Sequence, residues 1–192
     1  MRRAVALAVL FLLTELSLAA GIQGLPLIQR YGPRDHHASA THLGVLARAD
    51  GYVFVGNARG LLRYDGSHWE HLELPGRTSA RSLALDHEGR VYLGSYDRFG
   101  RAEADATGAL VFVDLTDQLR EGPDAPPVGQ VWSICSNAHG MYVYSDAGLA
   151  LLRRDGSRTY WSVGPEHRSP YCAREAVYGR IHGAGLSRLE ED

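Results

Sequence analysis

The sequence predicts an all-β protein built as a β-propeller, and three observations carry the prediction. A glycine, a short apolar run and an Asp-Gly turn follow one another at residues 60–66, which is a strong signal for a β-hairpin. Copies of this pattern begin at Gly148 and Gly185 and a weaker one at Gly100, so the leading glycines from Gly60 onward are spaced by 40, 48 and 37 residues. Beyond residue 21 no apolar run has the 3.6-residue period of a helix. Repeats of about 40 to 50 residues made of short strands are typical of propeller blades.

Each repeat contains candidates for four antiparallel strands. The first ends before a turn glycine (43–47, 82–85, 131–135), and the second is rich in β-branched and aromatic residues (52–55, 91–93, 141–144). The third is the glycine-led run, and the fourth begins with an aromatic or aliphatic cluster (69–74, 110–115, 160–163). The fourth repeat loses definition around residues 172–182. The prediction is therefore about three and a half four-stranded blades of a larger, seven-bladed propeller, with Trp69 packed between blades.

The N-terminus predicts export. Two arginines precede an apolar run, and the small residues Ser17 and Ala19 follow, which predicts a signal peptide over residues 1–20. An uncleaved anchor is the alternative, although the run is short for a bilayer span. Residues 21–41 are predicted to form an extended segment and a polar loop, and residues 42–192 the partial propeller. The loop region holds His36, His37 and His42, and without metal-ligand spacing we expect it to be solvated.

Composition excludes some classes of partner. Charged residues make up 22% of the chain and its net charge is -2, so bulk charge does not attract nucleic acid. No catalytic constellation is apparent, because the carboxylates sit mostly in turns where aspartate caps the backbone. We therefore predict no catalytic residue, no metal site and no cofactor in this chain.

The two cysteines allow two interpretations. In an oxidising compartment Cys135 and Cys172 could form a disulfide. Cys135 occupies the same place in its repeat as Ala84 and Leu46, and cysteine packs well as a small apolar residue. This second interpretation, an unpaired core cysteine, is the one that the repeat favours.

The ligand site is predicted from the loops. Loops that join the second and third strands, and one blade to the next, should share one end of the propeller. Residues 95–100 look two residues longer than residues 57–60, and residues 116–129 form a loop of 14 residues, a length often associated with function. The alternative is that the polar and aromatic side chains at this end are only solvated. The ligand-binding candidates are Asn57, Arg59, Arg77, Arg81, Tyr96, Asp97, Arg98 and Asp146.

Four motifs in order resemble the two-component-regulator propeller family. They are Gly-x-Pro-x-Ile-x-x-Tyr (24–31), Gly-Leu-Leu-x-Tyr-Asp-Gly-x-x-Trp (60–69), Arg-Ser-Leu-Ala-x-Asp-x-x-Gly-Arg-Val-Tyr-x-Gly-Ser (81–95) and Val-Trp-Ser-Ile (131–134). The resemblance covers residues 24–192 and rests on order and spacing. It implies an extracytoplasmic sensor region of a bacterial membrane signalling protein. In that family more blades, a three-tyrosine β-sandwich, a transmembrane helix and a histidine kinase, diguanylate cyclase or DNA-binding output follow.

Two functions remain open. The first is periplasmic sensing of an extracellular small molecule or glycan, with the remaining blades and an inner-membrane output domain, or another copy, as partners. The open blade faces expected of three and a half blades favour such partners. The second is a secreted propeller lyase or lactonase with a metal in its channel. Acidic residues or histidines recurring in the first strands would favour the enzyme, and only Asp86 is present, where the other repeats have Arg48 and Asn137.

Overall fold

The computed structural model describes residues 28–120, 122, 125–161, 167–173, 176–181 and 185–189. The chain forms two units, Met1–Arg30 and Tyr31–Asp192. Only residues 28–30 of the first unit are described, so the predicted signal peptide lies outside the described residues. The elements of the second unit are α1 (Pro33–His36), β1 (His42–Ala47), β2 (Val53–Asn57), β3 (Gly60–Tyr64), β4 (Trp69–Leu72), β5 (Ser82–Leu85), β6 (Val91–Ser95), β7 (Arg98–Ala104), β8 (Leu110–Asp114), β9 (Val131–Ser136), β10 (Gly140–Ser145), β11 (Gly148–Arg153), β12 (Arg158–Trp161), β13 (His167–Ala173), β14 (Ala176–Ile181) and β15 (Gly185–Leu189). Among the described residues, short 3-10 helices span Pro75–Arg77 and Thr116–Leu119.

The strands form four antiparallel sheets, each in sequence order. Strands β1–β4, β5–β8 and β9–β12 make three four-stranded blades, and β13–β15 make a three-stranded fourth blade. This confirms the predicted all-β propeller of about three and a half blades. The fourth blade is better defined than predicted, because β13 and β14 pair along their length. This hairpin was not predicted from the sequence, because no glycine or asparagine turn signal separates its two strands.

Neighbouring blades pack face to face, with their first strands side by side. Apolar side chains fill each interface, and each is worth roughly 1.5 to 3 kcal/mol on burial. Buried members include Phe54, Leu61 and Leu93 between blades 1 and 2, Phe99, Val131 and Val143 between blades 2 and 3, and Tyr142, Leu151 and Val177 between blades 3 and 4.

The second blade has a different register from the predicted one. Strand β7 begins at Arg98, and Gly100 lies two residues inside it. In blade 1 Gly60 is itself the first residue of β3, so Arg98 rather than Gly100 is the counterpart of Gly60. A Cβ atom at position 100 would lie 2.2 Å from the carbonyl oxygen of Val113. Gly100 is thus required by strand packing and marks no turn.

The segment before β1 differs from the predicted solvated loop. It contains α1, which contacts β4, and His36 in that helix is only 2% exposed. The His36 ring lies 5.7 Å from the ring of Trp69, centroid to centroid. Trp69 pairs with Tyr64 on the face of blade 1 that points away from blade 2, so among the described residues it packs against the N-terminal segment and not between two blades. Among the described residues no helix is long and apolar enough to span a bilayer.

The two cysteines form a disulfide, contrary to the interpretation that the repeat favours. Cys135 on β9 and Cys172 on β13 are bonded, with their Cα atoms 5.6 Å apart. The repeat equivalence with Ala84 and Leu46 holds, since all three face the next blade. The difference comes from the facing strand, where the fourth blade supplies a second cysteine.

Candidate ligand-binding site

One end of the blades carries the turns between second and third strands and the loops between blades. We call it the loop end. Its turns β2–β3, β6–β7 and β10–β11 each have two residues: Ala58-Arg59, Tyr96-Asp97 and Asp146-Ala147. The insertion predicted at residues 95–100 is therefore absent, because the two additional residues belong to β7. The blade-to-blade loop of residues 116–129 remains the long feature of this end.

The long loop is fixed at both of its ends. It begins with the 3-10 helix Thr116–Leu119, where the Thr116 hydroxyl accepts the backbone N–H of Phe99 at 3.0 Å. Near its C-terminal end Val128 is fully buried, and its carbonyl accepts the N–H of Ala147 at 3.2 Å. These contacts hold the loop against the turns of blades 2 and 3.

Two of the predicted ligand-binding residues serve the scaffold. Asn57 is fully buried; its amide bonds the backbone of Ser39 in both directions, at 2.7 and 3.1 Å, and also accepts the N–H of Arg59. Asp97 adopts a left-handed conformation with a φ of 51° and exchanges two hydrogen bonds with Gly129, at 2.7 and 2.8 Å. Asn57 is therefore a structural residue, and one oxygen of the half-buried Asp97 carboxylate is committed to the scaffold.

Three of the predicted arginines lie at the outer part of the loop end. Arg59 and Arg77 both approach the carboxylate of Glu73, at 3.3 and 3.7 Å, and the Arg77 side chain is 85% exposed. Arg98 reaches Asp114 at 3.5 Å on the outermost strand of blade 2. Each of these three arginines is thus next to a carboxylate.

Two of the remaining candidates, Arg81 and Asp146, contact Trp132, which was not among the predicted binding residues, and Tyr96 lies on the adjoining turn. Trp132 lies at a bulge near the start of β9 and is 42% exposed. Its indole N–H donates to Asp146 at 2.7 Å, and the Arg81 guanidinium lies 4.4 Å from its ring centroid. Tyr96 is 58% exposed, and its backbone pairs with that of Gln130. The backbone N–H of Gln130 donates to the second carboxylate oxygen of Asp146.

We call Arg81, Tyr96, Trp132 and Asp146 the indole cluster. The sequence signal for Trp132 was weak, because it sits in an apolar strand segment that predicts burial. A bulge between Val131 and Ser133 turns it outward, and Leu43 occupies the corresponding bulge in β1 and is 37% exposed. Bulges of this kind often re-aim a side chain next to a functional site.

The chemistry of the indole cluster suits a ligand with a flat or ring-shaped apolar surface and polar edges. An exposed indole offers a large, rigid stacking surface, and Asp146 holds its orientation. The guanidinium adds a positive charge that attracts the π face and can also donate to ligand oxygens. Within the described ranges no group of three or more His, Cys, Asp or Glu side chains could hold a metal ion.

At the opposite end of the blades, aspartate carboxylates accept backbone N–H groups within turns, as predicted. Asp65 accepts the backbone N–H groups of His68 and Ser67, which lowers its pKa to about 2. Asp86 accepts two backbone N–H groups and the Arg90 side chain at 2.6 Å. Asp86, the one acidic residue next to a first strand that could have favoured an enzyme, is therefore a turn residue.

Comparison with known proteins identifies the fold. No protein-family model matches the sequence, and no curated protein matches it. Among solved structures, two named as extracellular domains of hybrid two-component systems, BT3049 and BT4673 of B. thetaiotaomicron, match with TM-scores of 0.60 and 0.62. Their sequence identities are 14% and 16%, over 83% and 82% of this chain. The chain spans 22% of the length of each.

An enzyme shares the architecture as well. Virginiamycin B lyase from Staphylococcus aureus matches with a TM-score of 0.53 and 15% identity, over 78% of this chain and 52% of the lyase. Identities this low establish the fold and leave activity open. The chain thus shares the β-propeller fold of extracellular domains of two-component systems, which confirms at the level of fold the resemblance drawn from its sequence motifs.

Proposed function

We propose that the chain is the ligand-sensing propeller region of an exported bacterial signal-transduction protein. One observation carries the proposal: an exposed indole held in place by Asp146 at 2.7 Å, with Arg81 stacked on it, at the loop end of the propeller. Immobilising an exposed aromatic in this way lowers the entropy cost of stacking a ligand on it. The fold shared with extracellular domains of two-component systems supports an exported location.

The proposed ligand is a small molecule or a glycan. A sugar ring presents C–H groups to an indole face and hydroxyl groups to a guanidinium and a carboxylate, and Trp132, Arg81 and Asp146 supply these groups. The proposed partners are the remaining blades and a membrane-linked kinase or cyclase output domain of the same protein, or another copy of it. The whole protein is proposed to be anchored in the inner membrane with this region in the periplasm.

The experiment is a binding titration of the exported chain. Binding is measured by isothermal titration calorimetry, which needs no tryptophan reporter, with neutral and uronate-containing oligosaccharides and with a set of amino acids and nucleosides. For any compound that binds, Trp132→Ala should weaken binding at least about tenfold, equivalent to about 1.4 kcal/mol. Arg81→Ala should weaken it less, and Arg77→Ala, which removes another exposed arginine of the same end, should leave it unchanged.

Two outcomes would contradict the proposal. One is binding that survives in Trp132→Ala with unchanged affinity. The other is no binding of any compound in the set by a chain whose folding has been verified. A propeller lyase is the second candidate, favoured by the fold match to virginiamycin B lyase, and turnover of a bound compound into new products would support it.

A further inference from the structure

The segment of residues 31–38, which we call the N-terminal strap, lies across the outer strands of blade 1. The ring of Tyr31 packs at a tilt against Tyr64 and edge-on against Trp69, with ring centroids 5.0 and 5.3 Å apart, and its hydroxyl lies 2.5 Å from that of Tyr64. Further along, the rings of His36 and Trp69 meet, and Ala38 is 7% exposed. The strap therefore covers aromatic surface that would otherwise face water.

The hydrogen bonds of His36 fix its protonation state. Its Nδ1 atom accepts the backbone N–H of Ala38 at 3.2 Å. A nitrogen that accepts carries no proton, so the ring is neutral and its proton is on Nε2. Nε2 is buried, and it has no hydrogen-bond partner among the described residues. Burial and, to a lesser extent, the neighbouring His42 lower the pKa of His36.

Protonation of His36 would break this arrangement. An imidazolium has two donors and no acceptor, so the N–H of Ala38 would face an N–H of the ring. The added charge would lie near His42, whose ring centroid is 5.2 Å away on β1, and near His71 on β4.

Among the charges on the strap, the Asp35 carboxylate favours the protonated ring, but burial and the neighbouring histidines outweigh it, since the pKa of His36 is lowered overall. Asp35 already accepts the N–H of Gly32 at 2.6 Å at the start of α1. Arg34 on the same helix is exposed and carries a like charge. A buried imidazolium without a committed partner is costly.

We propose that the N-terminal strap is an acid-sensitive clasp, which stays on blade 1 while His36 is neutral and is released when that ring gains a proton. Release would uncover Tyr64 and Trp69, whose rings the strap contacts on the face of blade 1 that points away from blade 2. The clasp would thus couple external pH to the area of apolar surface on the first blade.

The pH window follows from the direction of the shift. Because the pKa of His36 is lower in the closed state than in a free chain, the open state binds more protons below about pH 6.5. The strap is therefore held fully above this pH and is progressively lost as the pH falls toward the lowered pKa. Tyr31 remains neutral throughout, since its hydrogen bond with Tyr64 raises its pKa to about 12.

The experiment is hydrogen exchange of the Ala38 amide in the whole chain, at pH values from 7.5 to 5 and corrected for the intrinsic pH dependence of exchange. Protection should fall about tenfold per pH unit below the pKa of the free imidazole until the folded pKa is reached. In His36→Asn the side-chain oxygen can still accept the Ala38 N–H but cannot be protonated, so protection should be independent of pH. The matched control is His37→Asn, since residue 37 has a left-handed φ of 55° that asparagine tolerates.

Three results would overturn the proposal. They are unchanged protection of Ala38 in the native chain between pH 7.5 and 5, pH dependence that persists in His36→Asn, and pH dependence that disappears in His37→Asn. If His36→Asn is unprotected at every pH, the imidazole nitrogen chemical shifts of the native chain decide. Titration of His36 together with the Ala38 signal supports the clasp, and a neutral His36 in the released state at pH 5 overturns it.

Discussion

The interfaces on the two sides of blade 3 use different chemistry at the same position of the repeat. Toward blade 2, Ala84 packs into an apolar cluster around Phe99, and the hydroxyl of Ser136 donates to the carbonyl of Leu85 at 2.5 Å. Toward blade 4, the counterpart of Ala84 is Cys135, which is bonded covalently to Cys172. A position in the repeat therefore determines which way a side chain points. The residues of the facing blade determine whether that side chain stabilises the interface by apolar packing or by a covalent bond.

The largest effect is expected in the apolar interface. Phe99 is fully buried between blades 2 and 3, so Phe99→Ala should lower the free energy of unfolding by about 3 to 5 kcal/mol. Urea unfolding followed by tryptophan fluorescence measures the loss. Because the loss comes from packing, it should be equal with and without a reducing agent. A loss that depended on the reducing agent would contradict this account.

The disulfide should have the next largest effect on stability, and this effect should depend on the presence of a reducing agent. It closes a loop with a sequence separation of 37 residues, and bonds of this kind typically contribute about 2 to 4 kcal/mol. Reduction should destabilise the native chain by this amount. The double variant Cys135→Ala, Cys172→Ala should be equally destabilised without reductant and insensitive to it. Hydrogen exchange should locate the loss in β13–β15, and a loss spread evenly over all blades would argue against a local covalent link.

The interface between blades 1 and 2 supplies a third, polar kind of contact. Glu70 on β4 accepts the N–H of Leu110 at 2.7 Å and forms an ion pair with Arg63. Arg63 in turn donates to the carbonyl of Gly108 at 3.0 Å. Glu70→Ala should cost about 1 to 2 kcal/mol, because it leaves the part-buried N–H of Leu110 without its acceptor and removes the ion pair with Arg63.

Thermal melts at low and high salt test the polar interface. The native chain should lose part of this contribution at high salt, and the Glu70→Ala variant should not. Glu73→Ala is the matched control, since Glu73 is more exposed and its two arginine partners lie at 3.3 and 3.7 Å. An equal effect of the two substitutions would show that the contact between blades contributes nothing of its own.

The fold was predictable because it depends on signals that recur. Asp-Gly turns, alternating apolar residues and glycine spacing all appear several times, so one ambiguous copy did not mislead the prediction. The errors fall where a copy is unique. Gly100 resembles a leading glycine but lies inside β7, and Cys135 resembles a core position but meets Cys172. Trp69 faces the N-terminal strap, which belongs to no repeat.

The end of the blades that carries the candidate residues was predictable for the same reason. Antiparallel order placed the loop end correctly, but it could not separate side chains that bind the scaffold from those that are exposed. Asn57 and Asp97 are polar loop residues in the sequence and structural hydrogen-bonding residues in the fold. Trp132 was missed because a bulge, which depends on the partner strand, turns it outward.

The smallest effect on stability is expected at Tyr96, in the turn between β6 and β7. Tyr96 and Asp97 are adjacent, yet only Asp97 bonds across to the loop that enters blade 3, through Gly129. Tyr96 is 58% exposed, so Tyr96→Ala should change the free energy of unfolding by no more than about 0.5 kcal/mol. Asp97→Ala should cost about 1 to 2 kcal/mol, because it leaves the N–H of Gly129 without its acceptor and places alanine at a positive φ.

If Tyr96 contacts the ligand, Tyr96→Ala should nevertheless weaken binding of any compound that Trp132 binds. Equal losses of stability in the two variants would show that the turn acts as a unit, and Tyr96 would then belong to the joint between blades 2 and 3.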